Sequence, residues 1–133
     1  MRRAQYISEY RDVGLAGAVA DASPHQLVAL LLHGARERIQ TAIVAIGRND
    51  VGRKVKAING AYAILEGLRI TLDRRSGGEI AAGLDELYRY GGQRLVEANA
   101  ANDPQRLKEV DALLDEVESA WKQIPGALRG NSP

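Results

Sequence analysis

The sequence predicts an all-α protein, an antiparallel up-down-up-down four-helix bundle with a short N-terminal capping segment. Three observations carry this. Two Ser/Asp-Pro pairs, Ser23-Pro24 and Asp103-Pro104, read as N-cap followed by proline at the first helical position. Between stop signals, apolar residues recur at helical spacing. The chain has no Phe and one Trp in 133 residues, so its core must be aliphatic, which suits helices better than a sheet sandwich.

The first helix opens at Ser23-Pro24, runs to about Ile46 and stops at Gly47. The second starts near Asn49-Asp50 and carries through to Leu72-Asp73. Arg74-Arg75-Ser76-Gly77-Gly78 reads as a connector. The third helix begins near Glu79, a carboxylate where the helix dipole favours one, and continues to about Ala100. The fourth runs from Asp103-Pro104 to Ile124, before Pro125-Gly126. Short connectors make neighbours antiparallel. The expected organisation is a docking segment over residues 1–22, the bundle over 23–124 and a flexible tail over 125–133.

Core stripes are expected at Val51, Val55, Ile58, Tyr62 and Leu65 on helix two. Helix three offers Ile80, Leu84, Leu87, Gly91 and Ala98, and helix four Leu107, Val110, Leu114, Val117 and Trp121. Helix two carries a second stripe, Ala57, Ala61, Ile64 and Leu68, so about half its circumference is apolar at about 100° per residue. A bundle helix normally keeps its outer half polar. The surplus reads as a wide core, a homodimer face or a groove for a partner helix. Tyr6, Ile7 and Tyr10 cluster on a segment too short to be helical alone, which should therefore dock on the bundle and be displaceable.

Length gives one domain, and a net charge of +1 draws the whole protein neither to nucleic acid nor to a membrane surface. Without cysteine there is no thiol or disulfide chemistry. Ser8, Glu9, Arg11 and Asp12 stand where a signal peptide would be apolar, and Leu27 to Ala35 is too short to span a bilayer, so a cytoplasmic protein is expected. Catalytic and metal sites are not expected. Glu-x-x-His is absent, His33 with Glu37 offers only a surface pair, and His25 should face solvent. Neither haem ligation nor a hydrolase motif is supported, and Gly77-Gly78 follows no strand that would make it a phosphate loop. No cofactor is implied. Arg48, Arg53, Lys54 and Lys56 form a mild basic patch, read as a solvated helix end because no aromatics interleave it.

Taken in order, Ala22-Ser23-Pro24-His25-Gln26-Leu27, Gly34-Ala35, Leu72-Asp73, Gly77-Gly78-Glu79-Ile80-Ala81, Leu84, Leu87-Tyr88, Tyr90, Arg94-Leu95, Ala98-Asn99 and Ala120-Trp121-Lys122-Gln123-Ile124 resemble the flagellar secretion chaperone FliS family. The resemblance spans about Tyr6 to Ile124. It implies a cytoplasmic chaperone that binds the disordered C-terminal region of flagellin, prevents premature polymerisation and delivers it for type III export. It also brings in a flagellar anti-sigma factor and export-gate components as further candidate partners. Carried over, Ile7 and Tyr10 would cover a groove, and with Tyr6 of the same cluster they make the expected mobile cover. Ile64 and Leu68 would anchor cargo, Ala61 would admit a partner backbone, and Tyr88 and Asn99 would add polar contacts. A self-associating structural bundle is the alternative; a ferritin-like metal enzyme lacks its ligands. Gly91-Gly92, Gly83 and His33 depart from the family pattern, and the glycine pair implies a kink, local mobility or a close neighbour.

Overall fold

The computed structural model describes residues 22–124. They form α1 (Pro24–Gly47), α2 (Val51–Ile70), α3 (Arg74–Ala101) and α4 (Pro104–Gln123). Each helix packs on its neighbour in sequence, and α4 closes back on α1. Cross-helix pairs show the antiparallel register. From His25–Trp121 to Arg36–Asp111, and from Lys54–Asn99 to Arg69–Asp85, one number rises as the other falls.

The caps work as the sequence implies. The Gln26 N–H donates to Ser23 Oγ at 3.1 Å, and the Ser23 N–H donates to Gln26 Oε1 at 2.9 Å, a reciprocal capping box with Pro24 in the first turn. Asp50 and Asp103 accept from the Arg53 and Gln105 N–H groups. The α2–α3 junction differs from expectation. Helix α2 ends at Ile70, where the Thr71 hydroxyl donates to the Leu68 carbonyl. The expected connector 74–78 is instead a helical turn, begun by Asp73, whose carboxylate accepts from the Arg75 N–H. At Gly78 the backbone leaves helical space (φ 49°, ψ −121°), re-aiming the chain before the long run of α3. Only glycine tolerates that conformation cheaply.

The core joins Leu31, Leu32, Ala35 and Ile39 of α1 to Ile58, Ile64, Leu65 and Leu68 of α2. Tyr88, Leu95 and Ala98 of α3 and Leu107, Val110 and Leu114 of α4 complete it. The expected stripes hold in part. On α2, Ile58 and Leu65 of the first stripe are buried while its Val51 (63 % exposed) and Tyr62 (39 %) face out, and the second stripe, Ala57, Ala61, Ile64 and Leu68, faces inward beside them, which makes a wide core. The alanines permit close helix contact, and the partly exposed Tyr62 ring lies against Gly92 of α3. On α3, Ile80 is 75 % exposed and Ala81 is buried in its place.

Gly91-Gly92 causes no kink, since α3 departs from helical geometry only at Gly78. The pair lets α2 approach. A methyl on Gly91 would stand 3.2 Å from Leu65 Cδ1 and 3.6 Å from Val110 Cγ1, and one on Gly92 3.1 Å from Tyr62 Cε2. At exposed Gly83 a methyl would meet nothing within 4 Å. Gly83→Ala should therefore stabilise by about 0.5–1 kcal/mol through helix propensity alone. Gly91→Ala gains the same propensity but crowds two fully buried side chains, so a net loss of about 1 kcal/mol is expected. Gly92→Ala should fall between them, because the half-exposed Tyr62 ring can swing aside. Urea melts of the three variants check the order; a Gly91→Ala gain equal to that of Gly83→Ala would refute the close approach.

Candidate functional site: an apolar cleft at one pole of the bundle

The bundle has an open cleft at the pole where α1 and the long run of α3 begin and α2 and α4 end. Its volume is about 370 Å³. Leu27, Val28 and Leu31 of α1 form one wall, Leu68 and Leu72 the second, Leu84 and Tyr88 of α3 the third, and Trp121 of α4 the fourth. It exists because the α2–α3 junction and the Gly78 turn leave the last layer of core side chains without a lid of described residues.

Trp121 fixes that pole. Its Nε1–H donates to the His25 carbonyl at 2.9 Å, and its ring stacks on the His25 imidazole (4.8 Å between centroids, 13° between planes). His25 is thus half-buried against α4, not turned to solvent as the sequence implied. Tyr88 brings a hydroxyl to the cleft wall, which Thr71 and Asp73 also line. The tyrosine is 2 % exposed, and its hydroxyl makes no hydrogen bond with any described residue. Burial pushes its ionisation up to about 12, so it remains a neutral donor at physiological pH.

The five expected partner-binding residues separate. Ala61, Ile64, Leu68 and Tyr88 all belong to the bundle core, so Ile64 and Leu68 do not lie bare on the surface as the expected groove anchors of the second stripe. That stripe is used by the chain's own packing, which also removes it as a homodimer face. Leu68 and Tyr88 do meet, on the cleft wall. Asn99 lies towards the other end of α3, where its carbonyl accepts from Lys54 Nζ at 3.0 Å. Lys54 also donates to Asn102 Oδ1, so a 5 %-exposed cation caps the C-terminus of α3. It is a structural member of the basic patch, not a solvated one. Tyr6, Ile7 and Tyr10 lie outside the described residues, as do the segment over 1–21 and the tail over 125–133.

Sequence reasoning missed Leu27, Val28, Leu72 and Leu84 as a site. Each sits on an ordinary apolar stripe; only the ends of four helices meeting at one pole turn them into a cleft. It also missed the ion cluster at the α1–α4 seam. Arg36 donates to Asp111 Oδ1 at 2.9 Å, to Asp115 Oδ1 at 3.1 Å and to Glu118 Oε1 at 2.9 Å. Its guanidinium is held protonated far above its ordinary range, chiefly by the Asp111 hydrogen bond. Burial would push the Glu118 carboxyl up, but the hydrogen bond from Arg36 and the nearby Lys122 and His33 outweigh it and hold the carboxyl below its ordinary value. His33 stands 3.5 Å from Glu118 and 3.8 Å from Glu37. Among the described residues no group of three or more His, Cys, Asp or Glu is arranged to hold a metal, and no helix is long and apolar enough to cross a membrane.

The relatives of this bundle set its class, which is that of chaperones and not of enzymes. The chain is a member of the FliS family: the family model described as Flagellar protein FliS matches residues 6–127. It is 45 % identical over 118 residues to the flagellar secretion chaperone FliSB of Pseudomonas aeruginosa, covering 89 % of this chain and 94 % of that one. To the flagellar secretion chaperone FliS of Salmonella typhimurium it is 42 % identical over 125 residues, 93 % of each chain. The FliS of Bacillus subtilis is 35 % identical over 106 residues, 80 % of this chain and 78 % of that one.

Proposed function

We propose that this chain is a cytoplasmic flagellar export chaperone. It binds the disordered C-terminal region of flagellin, keeps it from polymerising early and hands it to the type III export apparatus. The observation that carries the export role is the match, over nearly the full length of both chains, to relatives named flagellar secretion chaperones. The geometry supports polypeptide cargo. A disordered segment that orders on binding needs apolar surface with a few anchors, not a catalytic pocket. The cleft offers Leu27, Leu68, Leu72, Leu84 and Trp121 as that surface. Tyr88 supplies a neutral donor for a backbone carbonyl of the arriving chain. Ala61 and Ile64 act from beneath, by holding α2 in place, and Asn99 by holding the α3 terminus.

Within this reading residues 1–22 dock on the bundle, residues 125–133 stay clear of it, and Tyr6, Ile7 and Tyr10 cover the cleft until cargo displaces them. Their docking lowers net cargo affinity by whatever it contributes, which favours release at the export gate. A flagellar anti-sigma factor and export-gate components are further partners under the same reading. Calorimetric titration with a peptide from the flagellin C-terminal region, with mass by light scattering before and after, tests it. Tight one-to-one binding to a monomer is the expected result. A stable dimer indifferent to the peptide would sink it in favour of a self-associating bundle.

A further inference from the structure

The pole opposite the cleft carries a second surface with different chemistry. There α1 ends and α2 begins, joined by the turn Arg48–Asp50. A hollow of about 270 Å³ lies in this corner. Val44, 49 % exposed, and Thr41 form its α1 side, and Arg48, Asp50 and Arg53 its rim. Lys56 follows Arg53 three residues on, along the same flank of α2.

The charge here is one-sided. Arg48, Arg53 and Lys56 are exposed and make no side-chain hydrogen bond or ion pair with any described residue. This contrasts with Arg36, Arg69 and Arg94, each of which binds two or more carboxylates, at least one of them across a helix seam. The one carboxylate on the rim, Asp50, is occupied by the Arg53 N–H as the N-cap of α2. The cations also stand in the wrong place for the fold. Helix α2 has no acidic residue in its first turn, and Arg53 and Lys56 add positive charge to the end where the helix dipole is already positive. On the rim only the Asp50 N-cap carboxylate opposes that charge, and an anionic partner would add to it.

We propose that this corner docks a short acidic segment of a partner protein, with one aliphatic side chain seated against Val44 and carboxylates on Arg48, Arg53 and Lys56. The exposed valine at the centre of the cationic rim favours a polypeptide over nucleic acid, for which an aromatic stacking surface or a phosphate-tracking groove would be wanted. The hollow has room for one side chain, which makes the contact a local anchor, not an enclosing groove. Its distance from the cleft is set by the bundle: along α1, Val44 lies 17 residues beyond Leu27 and 13 beyond Leu31, about 20–25 Å at 1.5 Å per residue. The two surfaces are therefore occupied independently, and the proposal does not rest on the cargo being flagellin.

The test is fluorescence anisotropy with three labelled probes on the full chain: (Glu-Glu-Leu)5, (Glu-Glu-Ser)5 and a fifteen-nucleotide single-stranded DNA. The proposal expects (Glu-Glu-Leu)5 to bind most tightly and to weaken as salt is raised from 50 to 200 mM. Arg48→Ala with Arg53→Ala should lose at least tenfold, and Val44→Ser at least threefold. Arg89→Ala, an exposed cation elsewhere on α3, should leave affinity unchanged. Because all these residues are exposed, circular-dichroism melts should show the variants folded; amide-exchange protection at residues 41–56 on adding the peptide to the unaltered chain gives a readout free of any mutation. Equal binding of (Glu-Glu-Ser)5 would overturn the apolar anchor. Tighter binding of DNA would overturn the protein partner. Loss of affinity in Arg89→Ala equal to that in the double variant, or absence of protection at 41–56, would overturn the site.

Discussion

Arg36→Ala is expected to destabilise the bundle by about 2 kcal/mol at pH 7, lowering the urea midpoint by roughly 1 M. Exposed ion pairs are worth about 0–1 kcal/mol, whereas removing one partner of a buried pair costs about 3–5 kcal/mol. Arg36 lies between these limits: its side chain is 26 % exposed, but that of Glu118 beneath it is only 5 % exposed. Without the guanidinium, Asp111, Asp115 and Glu118 face one another along α4, and Lys122 and His33 remain as the only cations on Glu118 among the described residues.

The pH dependence follows from the sign of the Glu118 shift. Its folded value is lowered, so its contribution is fully present above the unfolded value, about 4.3, and is lost as pH falls through the folded one. In Arg36→Ala the burial that opposes ionisation is no longer outweighed to the same degree, so the acid limb of the stability curve should move to higher pH. The two proteins should then converge once pH has fallen well below the folded value of Glu118, where its carboxyl is protonated in both. A double-mutant cycle with Glu118→Gln isolates the pair. A full 2 kcal/mol gap surviving there would mean that the loss comes from packing of the arginine stem and not from the charges.

What the sequence made legible was whatever is written locally. Ser23-Pro24 and Asp103-Pro104 are cap-and-proline pairs whose chemistry is complete within four residues, and both helices begin there. The face of α2 that turns inward was not local. Two adjacent stripes were equally apolar, and members of both turn inward, Ile58 and Leu65 beside Ala61 and Ile64, a width that goes with the close approach of α3 at Gly91 and Gly92. Misreading that face placed Ala61 and Ile64 on a surface when they are core. The turn at 74–77 was hidden because Gly-Gly reads as a breaker, yet only Gly78 breaks the helix, while Asp73 caps the turn before it. The cleft and the Arg36 cluster were the least legible. The cleft is assembled from all four helices and the Arg36 cluster from two, with residues that meet up to 96 positions apart, as His25 and Trp121 do at the cleft's pole.

The cleft itself is put to its strongest test by a charge at its centre. Leu84→Glu is expected to reduce binding of the flagellin C-terminal peptide at least 100-fold. An apolar anchor would lose its contact, and the buried carboxylate would have to be desolvated whenever cargo docks. Such a loss corresponds to about 2.7 kcal/mol, within the range of a single interface hot spot. Leu84 is half-buried, so the charge also strains the fold, and Tyr88→Phe supplies the gentler probe. It keeps the ring and removes only the hydroxyl that has no described partner. A hydrogen bond of about 1 kcal/mol to the cargo backbone then appears as a three- to tenfold loss of affinity with no loss of stability. Variation of the N-terminal segment should act in the opposite direction. Ile7→Ala with Tyr10→Ala removes a competitor from the cleft and should tighten binding, and the gain should disappear when Leu84→Glu is added, because both act at one place. If the peptide binds Leu84→Glu and Tyr88→Phe as it binds the unaltered chain, the cargo sits elsewhere on the bundle, and the cleft is a gap in the packing of its pole.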